Sequence, residues 1–210
     1  MRKYLKQYVI MFLGLLICLA FFAFDGAGAA TEAEPTAQLQ KYVDGIMEIL
    51  QSEALKAPDK KKERQQLVLN IVTDMFDFRD MARSSLGQNW NSLTAEEKDT
   101  FIGLFTSLLE QRYIGKIDSY DNQKVVYQKE LVKGDRAMVY TAILDKDLEI
   151  PIIYRLHEKN GKWLVYDMKI ENVSLMLNYR RDFESIIRKE KFAGLVERIS
   201  KQLDTSQAAE

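Results

Sequence analysis

The chain has 210 residues, with 30 lysines and arginines against 31 aspartates and glutamates, and a formal net charge of −1. This balance argues against a nucleic-acid-binding protein, which would show a basic excess. The single cysteine, Cys18, lies in the N-terminal apolar segment, so the rest of the chain has neither a disulfide framework nor a thiolate metal site. A domain of this length must therefore be held together by its hydrophobic core.

The N-terminus has the pattern of an export signal. Three basic residues within the first six positions precede an uninterrupted apolar run, Val9–Phe24, of roughly 16 residues. A membrane span needs about 20 residues, and the sequence Ala-Gly-Ala at positions 27–29 offers a cleavage site. We predict a cleavable signal peptide at residues 1–29 and export from the cytoplasm; an uncleaved inner-membrane anchor is the alternative interpretation.

The first half of the mature chain is predicted to be helical. Residues 30–36 are small and polar and are predicted to form a flexible leader. Apolar residues then recur at helical spacing from Leu39 to Leu50, and Pro58 separates this helix from a second one. The second helix opens with five charged residues, 60–64, four of them basic. We interpret this run as a solvated helical face, with docking to acidic lipid or to a partner as the alternative.

Two further helices have clear end signals. A short helix is predicted over residues 78–86, because Gly87 follows it as a usual C-terminal residue. The next helix begins with a capping box formed by Thr94 and Glu97. Its apolar face, which runs from Phe101 to Tyr113, is wide enough to contact two neighbouring elements, or one element and a ligand.

Beyond residue 122 the apolar period changes to two, which predicts strands. The predicted strands are 124–132, 136–144, 148–157 and 162–170. Short turns separate them, and Asn160-Gly161 is a strong signal for a type I′ hairpin. Four strands joined in this way predict an antiparallel meander. Pro151 cannot donate to a ladder, so its position should lack a partner or lie at a bulge.

Helices close the chain. Within residues 163–183 the pattern changes from period two to helical spacing, so the last strand should lead directly into an amphipathic helix. We predict C-terminal helices at about 175–189 and 192–203, within a single domain at 37–204 and before a disordered tail at 205–210. The fold class is α+β: N-terminal helices, a twisted four-stranded sheet, then helices that return over one face.

The sequence offers little catalytic chemistry. Its one histidine, His157, is predicted to be a surface or edge residue at a strand end. No nucleophile elbow, phosphate-binding loop or dinucleotide fingerprint is present, and no set of histidine and cysteine ligands for a transition metal. We therefore predict that the protein is not an enzyme and has no catalytic or metal-binding residues, although a carboxylate pair brought together by folding stays possible.

Several blocks of sequence resemble one known family. They are Phe78-Arg79-Asp80-Met81-Ala82, Leu86-Gly87, Trp90, Leu93-Thr94, Glu97, Phe101, Phe105, Leu108-Leu109, Tyr113, Trp163, Tyr166-Asp167, Val173-Ser174, Asn178-Tyr179-Arg180 and Phe183. In order and spacing they resemble the MlaC or toluene-tolerance family of periplasmic phospholipid carriers. Where that family usually has glycine before Val-Ser, this chain has Asn172, which also tolerates a positive φ angle.

The resemblance implies a periplasmic protein whose sheet and helices enclose an apolar cavity for lipid tails. It implies exchange of phospholipid with an inner-membrane ABC transporter complex that includes a lipid-binding subunit, and with an outer-membrane lipoprotein complex, as part of the system that maintains lipid asymmetry. No cofactor and no nucleic acid are expected, since the bound phospholipid is cargo. The alternatives are a non-enzymatic envelope interaction module with a filled core and, less favoured, a secreted lipid or ester hydrolase.

The family picture and the apolar pattern together suggest which residues line the cavity. These candidates are Met81, Leu86, Trp90, Phe105, Leu108, Tyr140, Ile152, Tyr154, Trp163, Val173 and Met176. Arg180 falls on the apolar stripe of its helix and is expected to reach solvent, to pair with an acid, or to lie near the lipid headgroup.

Overall fold

The computed structural model describes the backbone of residues 34–114, 120, 123–146 and 148–207. The predicted signal peptide at 1–29, leader residues 30–33 and tail residues 208–210 lie outside the described residues. The helices are α1 (Pro35–Gln51), α2 (Lys61–Met75), α3 (Phe78–Leu86), α4 (Ala95–Ile114) and α5 (Leu175–Gln207). The strands are β1 (Lys124–Lys133), β2 (Arg136–Asp145), β3 (Leu148–Lys159), β4 (Lys162–Ile170) and β5 (Val173–Ser174). Short 3-10 turns lie at Glu53–Leu55, Pro58–Lys60 and Gly87–Ser92.

Helix α1 begins earlier than predicted and docks directly on the sheet. Pro35 occupies the first turn, where a missing backbone N–H costs nothing, so residues 35 and 36 belong to the helix. The Gln38 side chain donates to the Trp163 carbonyl at 3.0 Å and accepts from the Trp163 N–H at 3.1 Å. The Thr36 hydroxyl donates to Glu130 on β1. These polar contacts fix the helix across the width of the sheet.

The helix ends that the sequence specifies locally are confirmed. Helix α3 spans the predicted residues, with the Asp77 carboxylate accepting from the Asp80 N–H at 2.9 Å and Gly87 at φ 56° after its last turn. Both reciprocal hydrogen bonds of the predicted capping box are present at the start of α4. The Thr94 N–H donates to Glu97 at 2.8 Å, and the Glu97 N–H donates to the Thr94 hydroxyl at 3.1 Å. Among the described residues, no helix has the length and hydropathy of a membrane span.

The sheet is an antiparallel meander in the order β1-β2-β3-β4-β5. The four predicted strands are present, and Asn160 and Gly161 form the hairpin with φ angles of 56° and 76°. The prediction of four strands misses β5, because Glu171 and Asn172 both adopt positive φ and turn the chain back against the end of β4. The positive φ expected of Asn172 is thus confirmed.

Proline and two bulges shape the ladder. Pro151 lies opposite Ala142 on β2, and the ladder between β3 and β4 begins one residue later, so no β4 residue pairs with the proline. Its carbonyl accepts instead from the Glu171 N–H at 3.0 Å. The register shifts occur elsewhere, in β1 after Tyr127 and between β3 and β4 at Arg155, where they increase the local twist.

Buried apolar residues form two separate groups. The sheet cluster joins one face of β2–β4 to α1 and the end of α2, and comprises Leu39, Val43, Met75, Ala137, Val139, Ile152, Tyr154, Leu156, Trp163 and Val165. The helical cluster joins α3, the turn after it, α4 and α5, and comprises Met81, Ala82, Leu86, Trp90, Phe101, Phe105, Leu108, Leu109, Met176, Tyr179, Phe183, Leu195 and Ile199.

The C-terminal helix is broken where the sequence predicts a boundary. Lys191, at φ 64° and ψ −178°, interrupts α5 between the two predicted helices, and the second part continues to Gln207, three residues beyond the predicted domain end. Arg180 is half-buried and contacts the main chain of α3, and its expected position near a lipid headgroup stays a prediction. Its Nε and Nη2 donate to the Ser84 carbonyl at 2.8 and 2.6 Å, which ties α5 to the last turn of α3. A Cβ at Gly87 would lie 3.0 Å from this guanidinium, so a larger residue there would displace Arg180 in addition to straining the positive φ.

Candidate functional site

An apolar cavity of about 290 Å³ lies where α1, α2 and α4 meet the end of β4. Side chains from all these elements, from the segment before α3, and from the starts of α3 and α5 contribute to its wall. The lining residues are Ile46, Val68, Leu69, Val72, Phe76, Phe78, Met81, Leu109, Glu110, Tyr113, Ile114, Met168, Ile170 and Leu175. A space walled in this way is suited to hydrocarbon and offers few groups that could orient a polar ligand.

The periodicity of each element explains why its side chains face the cavity. On α2, Val68 and Val72 lie one turn apart on the same face, with Leu69 beside them. On β4, Met168 and Ile170 alternate toward the same side of the sheet. These two parts of the wall are thus formed by the helical stripe of α2 and the period-two face of β4.

Glu110 is the one charged residue among the described lining residues. It follows Leu109 on α4 and is half-buried. Burial raises the pKa of its carboxyl group, because removal from water disfavours the ionised form. The side chain therefore places a carboxyl group of reduced acidity beside a wall that is otherwise apolar, apart from the Tyr113 hydroxyl.

The cavity volume bounds what it can hold in this conformation. A dry apolar cavity of about 150 Å³ accommodates benzene. The observed space of about 290 Å³ is roughly twice as large, enough for a segment of one acyl chain. A complete two-chain lipid would require α2 or α4 to move away from the end of β4.

The structure brings one of the predicted cavity residues, Met81, to this wall. The others lie elsewhere. Leu86, Trp90, Phe105, Leu108 and Met176 are in the helical cluster. Ile152, Tyr154 and Trp163 are in the sheet cluster, where burial raises the pKa of Tyr154 to about 12. Tyr140 is half-buried, and Val173 is 52 % exposed on β5. Contact between lipid and these other residues stays a prediction.

The main residues that sequence reasoning missed are on α2. Helical spacing in the sequence places Val68 and Val72 beside an apolar stripe of Leu67, Ile71 and Met75, and such a pattern is typical of ordinary core. The available signal was the width of that apolar band, since Val68-Leu69 and Ile71-Val72 are adjacent pairs that no narrow stripe requires. Leu67 itself is 37 % exposed and lies outside the lining.

His157 is buried, with 7 % exposure, so its prediction as a surface or edge residue is wrong. Its Nε2 lies 3.1 Å from Asp77 and its Nδ1 lies 3.2 Å from Asp80, at the first turn of α3. The three residues could offer ligand atoms to a cation. However, these ligand atoms already have partners. The Lys159 ammonium lies 3.0 Å from the Asp77 carboxylate, and each nitrogen of the His157 ring faces a carboxylate. The arrangement therefore joins β3 to α3 and leaves no imidazole nitrogen free to activate a nucleophile.

Comparison with known proteins gives a consistent result. The profile of the family described as "MlaC protein" matches residues 40–201. The intermembrane phospholipid transport system binding protein MlaC of Haemophilus influenzae is 25 % identical over 174 residues, which are 80 % of this chain and 81 % of that protein. A phospholipid-binding protein from Ralstonia solanacearum, solved in complex with a phospholipid, has the same fold. Its TM-score is 0.73 at 23 % identity, with 83 % of this chain and 99 % of that chain covered.

Proposed function

The chain belongs to the MlaC family, and from that premise we propose that it is a periplasmic phospholipid carrier. It receives and delivers lipid at an inner-membrane ABC transporter complex and an outer-membrane lipoprotein complex. The Haemophilus relative is named for intermembrane phospholipid transport, and the Ralstonia protein of the same fold holds a phospholipid. The signal-peptide pattern in the sequence supports the periplasmic location.

The observation that carries this proposal is the apolar cavity between α2, α4 and β4. Taking two acyl chains with about 30 methylenes out of a membrane costs roughly 25 kcal/mol, at about 0.8 kcal/mol for each methylene. A soluble carrier offsets that cost only by surrounding the chains with apolar groups. The headgroup stays in water, because burying it unpaired would be costly.

The cavity is smaller than its proposed cargo, so loading requires it to widen. The walls suit such a change, because methionines at positions 81 and 168 can repack through several rotamers. We expect the acyl chains to enter between α2 and the end of β4 and to displace these side chains. Crosslinking α2 to β4 should therefore trap the protein without lipid.

A matched pair of substitutions on α2 tests the cargo site. Leu69 lines the cavity and Leu67 is exposed outside it, so Leu69→Glu places a charge in the cavity while Leu67→Glu makes the same change on the surface. Phospholipid that co-purifies with each protein is extracted and measured by mass spectrometry. We expect Leu69→Glu to lose about 90 % of the lipid, since burying an unpaired carboxylate beside acyl chains is strongly unfavourable.

Leu67→Glu should keep the wild-type lipid content and the wild-type melting temperature. Absence of phospholipid from the wild-type protein, or equal lipid in the two variants, would contradict a carrier role and favour an interaction module with a filled core. Release of fatty acid from the bound lipid over time would indicate a hydrolase. Exchange with the membrane complexes is tested separately, by transfer of labelled phospholipid from the loaded protein to each reconstituted complex.

A further inference from the structure

The outer sheet face is the surface of β1–β4 that points away from α1 and the sheet cluster. Strand register defines it, because Lys129 pairs with Tyr140 and Met138 pairs with Arg155 across neighbouring strands. Side-chain contacts agree: the Tyr140 hydroxyl lies 4.0 Å from the Met138 sulfur, and the Lys129 ammonium lies 5.8 Å from the centre of the Tyr140 ring. These residues therefore share one face of the sheet.

This face is open to solvent and has apolar side chains among its charges. Val126 and Leu131 on β1 are 38 % and 40 % exposed. Met138, Tyr140 and Ile153 on the next two strands are only half-buried. The described helices meet the sheet through α1 on the inner face, along β4, and through the first turn of α3 at the His157 end of β3. They leave the rest of the outer surface of β1–β3 partly uncovered.

Basic residues outnumber acidic residues on this face. By register and alternation its basic residues are Lys124, Lys129, Lys133, Arg136, Arg155 and Lys169. Two of them, Arg136 and Arg155, lie over the Tyr166 ring at 5.0 and 5.2 Å. Three acids lie on or beside this face. Glu149 accepts from Gln128, Asp167 lies opposite Arg155 and 3.5 Å from its guanidinium, and Asp135 in the turn before β2 lies 3.8 Å from the Arg136 guanidinium. On a chain with a net charge of −1, this is a marked local excess of positive charge.

We propose that the outer sheet face docks on an anionic membrane surface. Clusters of lysine and arginine are attracted to the negative potential of such a surface, and exposed apolar side chains beside them can enter the headgroup region. Lysine is depleted in protein–protein interfaces, so a face with four lysines fits a lipid surface better than an acidic protein. A second copy of the chain would bring like charges together.

Protection of the sheet edge explains only part of this pattern. Lysines on an edge strand hinder pairing with other chains, and β1 is an edge of the sheet. That role would account for Lys124, Lys129 and Lys133. It does not account for Lys169 on β4, or for Arg136 and Arg155 on the interior strands β2 and β3, although these two arginines also pair with Asp135 at 3.8 Å and Asp167 at 3.5 Å. The positive charge continues across the sheet, as binding to an extended anionic surface requires.

This docking surface is separate from the cavity. Met168 and Ile170 line the cavity from the inner side of the sheet, whereas the basic residues point the other way. Binding to a membrane can therefore be measured without reference to the cargo. A failure to bind membranes would leave the proposed lipid cargo untouched, and a protein without cargo could still bind membranes.

The experiment uses vesicle flotation with the purified protein. Phosphatidylcholine vesicles are compared with vesicles that also contain phosphatidylglycerol, at low and at high salt. We expect binding only to the anionic vesicles, weakening as salt screens the charges. The triple variant Lys129→Gln/Lys133→Gln/Arg136→Gln should bind roughly 100-fold more weakly, or about fivefold for each cationic side chain lost.

The matched control is Lys56→Gln/Lys61→Gln/Lys62→Gln, which also removes three positive charges. Lys61 and Lys62 lie in the first turn of α2, and Lys56 lies shortly before this helix. The control should bind within about twofold of the wild type, because binding depends on basic residues close to the lipid surface. A second face variant, Lys124→Gln/Lys133→Gln/Lys169→Gln, guards against misfolding of the first, and thermal melts check both.

Equal binding to both vesicle types, no binding to either, or an equal loss in the face and control variants would overturn the proposal. Binding that is unaffected by salt would do so as well.

Discussion

The helical cluster and the part of the cavity wall on α2 are built from different side chains. In the helical cluster, Phe105 packs on Phe101 at 5.6 Å between ring centres and on Tyr179 at 5.2 Å, with perpendicular rings in the second pair. The cavity wall on α2 consists instead of Val68, Leu69 and Val72. Rings fill the helical cluster, while short aliphatic side chains leave space at the end of the sheet.

This difference shows where the aromatic residues of the chain are used. Edge-to-face ring pairs have specific geometry and fix the relative positions of α4 and α5. The valine, leucine and methionine side chains of the cavity wall, which also includes Phe76, Phe78 and Tyr113, have no such fixed geometry and can adapt to a flexible chain. The ring pairs of the helical cluster therefore support the frame of the protein, and the aliphatic part of the cavity wall provides the variable volume.

The largest expected effect comes from Phe105→Ala. Removing this fully buried ring leaves a cavity among Phe101, Tyr179 and Phe183, and should lower the free energy of unfolding by about 3–5 kcal/mol. Urea denaturation measures the loss. The phospholipid bound per folded molecule should stay unchanged, and a selective loss of lipid at full stability would place Phe105 in the cargo site after all.

A smaller loss is expected at Asp167, where the sheet passes into the helical region. Its buried carboxylate accepts from the Ser174 hydroxyl at 2.8 Å and from the Met176 N–H at 3.1 Å. Asp167→Ala leaves both donors without this acceptor and should cost about 2 kcal/mol in chemical denaturation. Asp167→Asn keeps one acceptor oxygen and should lose less; equal stability of the alanine variant and the wild type would contradict this role.

A pH-dependent effect is expected at Asp77, which joins α3 to β3. Burial alone would raise the pKa of Asp77. Hydrogen bonds from the Asp80 N–H and from Lys159 act in the opposite direction, as do the charges of Lys159 and His157. Together they outweigh burial and lower the pKa. In the unfolded chain this carboxyl group has a pKa of about 3.9 and binds protons more readily than in the folded protein. The ionised Asp77 therefore contributes its full stabilisation of the fold above about pH 5, and this stabilisation is lost as the pH falls.

Urea denaturation of the wild type and of Asp77→Asn across this range tests the assignment. The stability difference between the two proteins should shrink steadily as the pH falls below about 4. A difference that stays constant with pH would show that the hydrogen bonds of Asp77, and not its charge, account for the effect of the substitution.

The smallest effect on stability is expected from Val72→Phe, which fills part of the cavity. Because the space of about 290 Å³ exceeds the added ring, stability should change by less than about 1 kcal/mol. Bound phospholipid should fall by at least half. Thr73→Phe, on the exposed side of the same helix, is the control for surface effects. A loss of several kcal/mol in Val72→Phe would mean that this region is as tightly packed as the helical cluster.

Features with a local signal were predictable from the sequence. The turn at Asn160-Gly161, the capping box of Thr94 and Glu97, and the end of α3 at Gly87 each depend on residues close together in the chain. The division of α5 near Lys191 also followed from the pattern of apolar residues. Such features need no knowledge of what packs against them.

Features that depend on distant partners were not predictable. The burial of His157 depends on the carboxylates of Asp77 and Asp80, which are distant from it in the sequence. Nothing in the sequence around His157 indicates that it is buried. The cavity wall likewise depends on which side of α2 meets β4. Trp163 and Tyr154 belong to the sheet cluster, and whether such a side chain packs in a core or borders a cavity depends on which elements lie opposite it.

The strand order has a consequence for how the protein folds. Every strand pairs with its neighbour in sequence, so the sheet can form hairpin by hairpin at a low cost in loop closure. By contrast, the contact of Arg180 with Ser84 spans 96 residues, and the bridge from Phe76 to Val165 is also long-range. We expect the meander to assemble first and the helices that enclose the cavity to dock last. These helices depend most on contacts between distant residues, so we expect them to separate from the sheet more easily than the strands separate from one another.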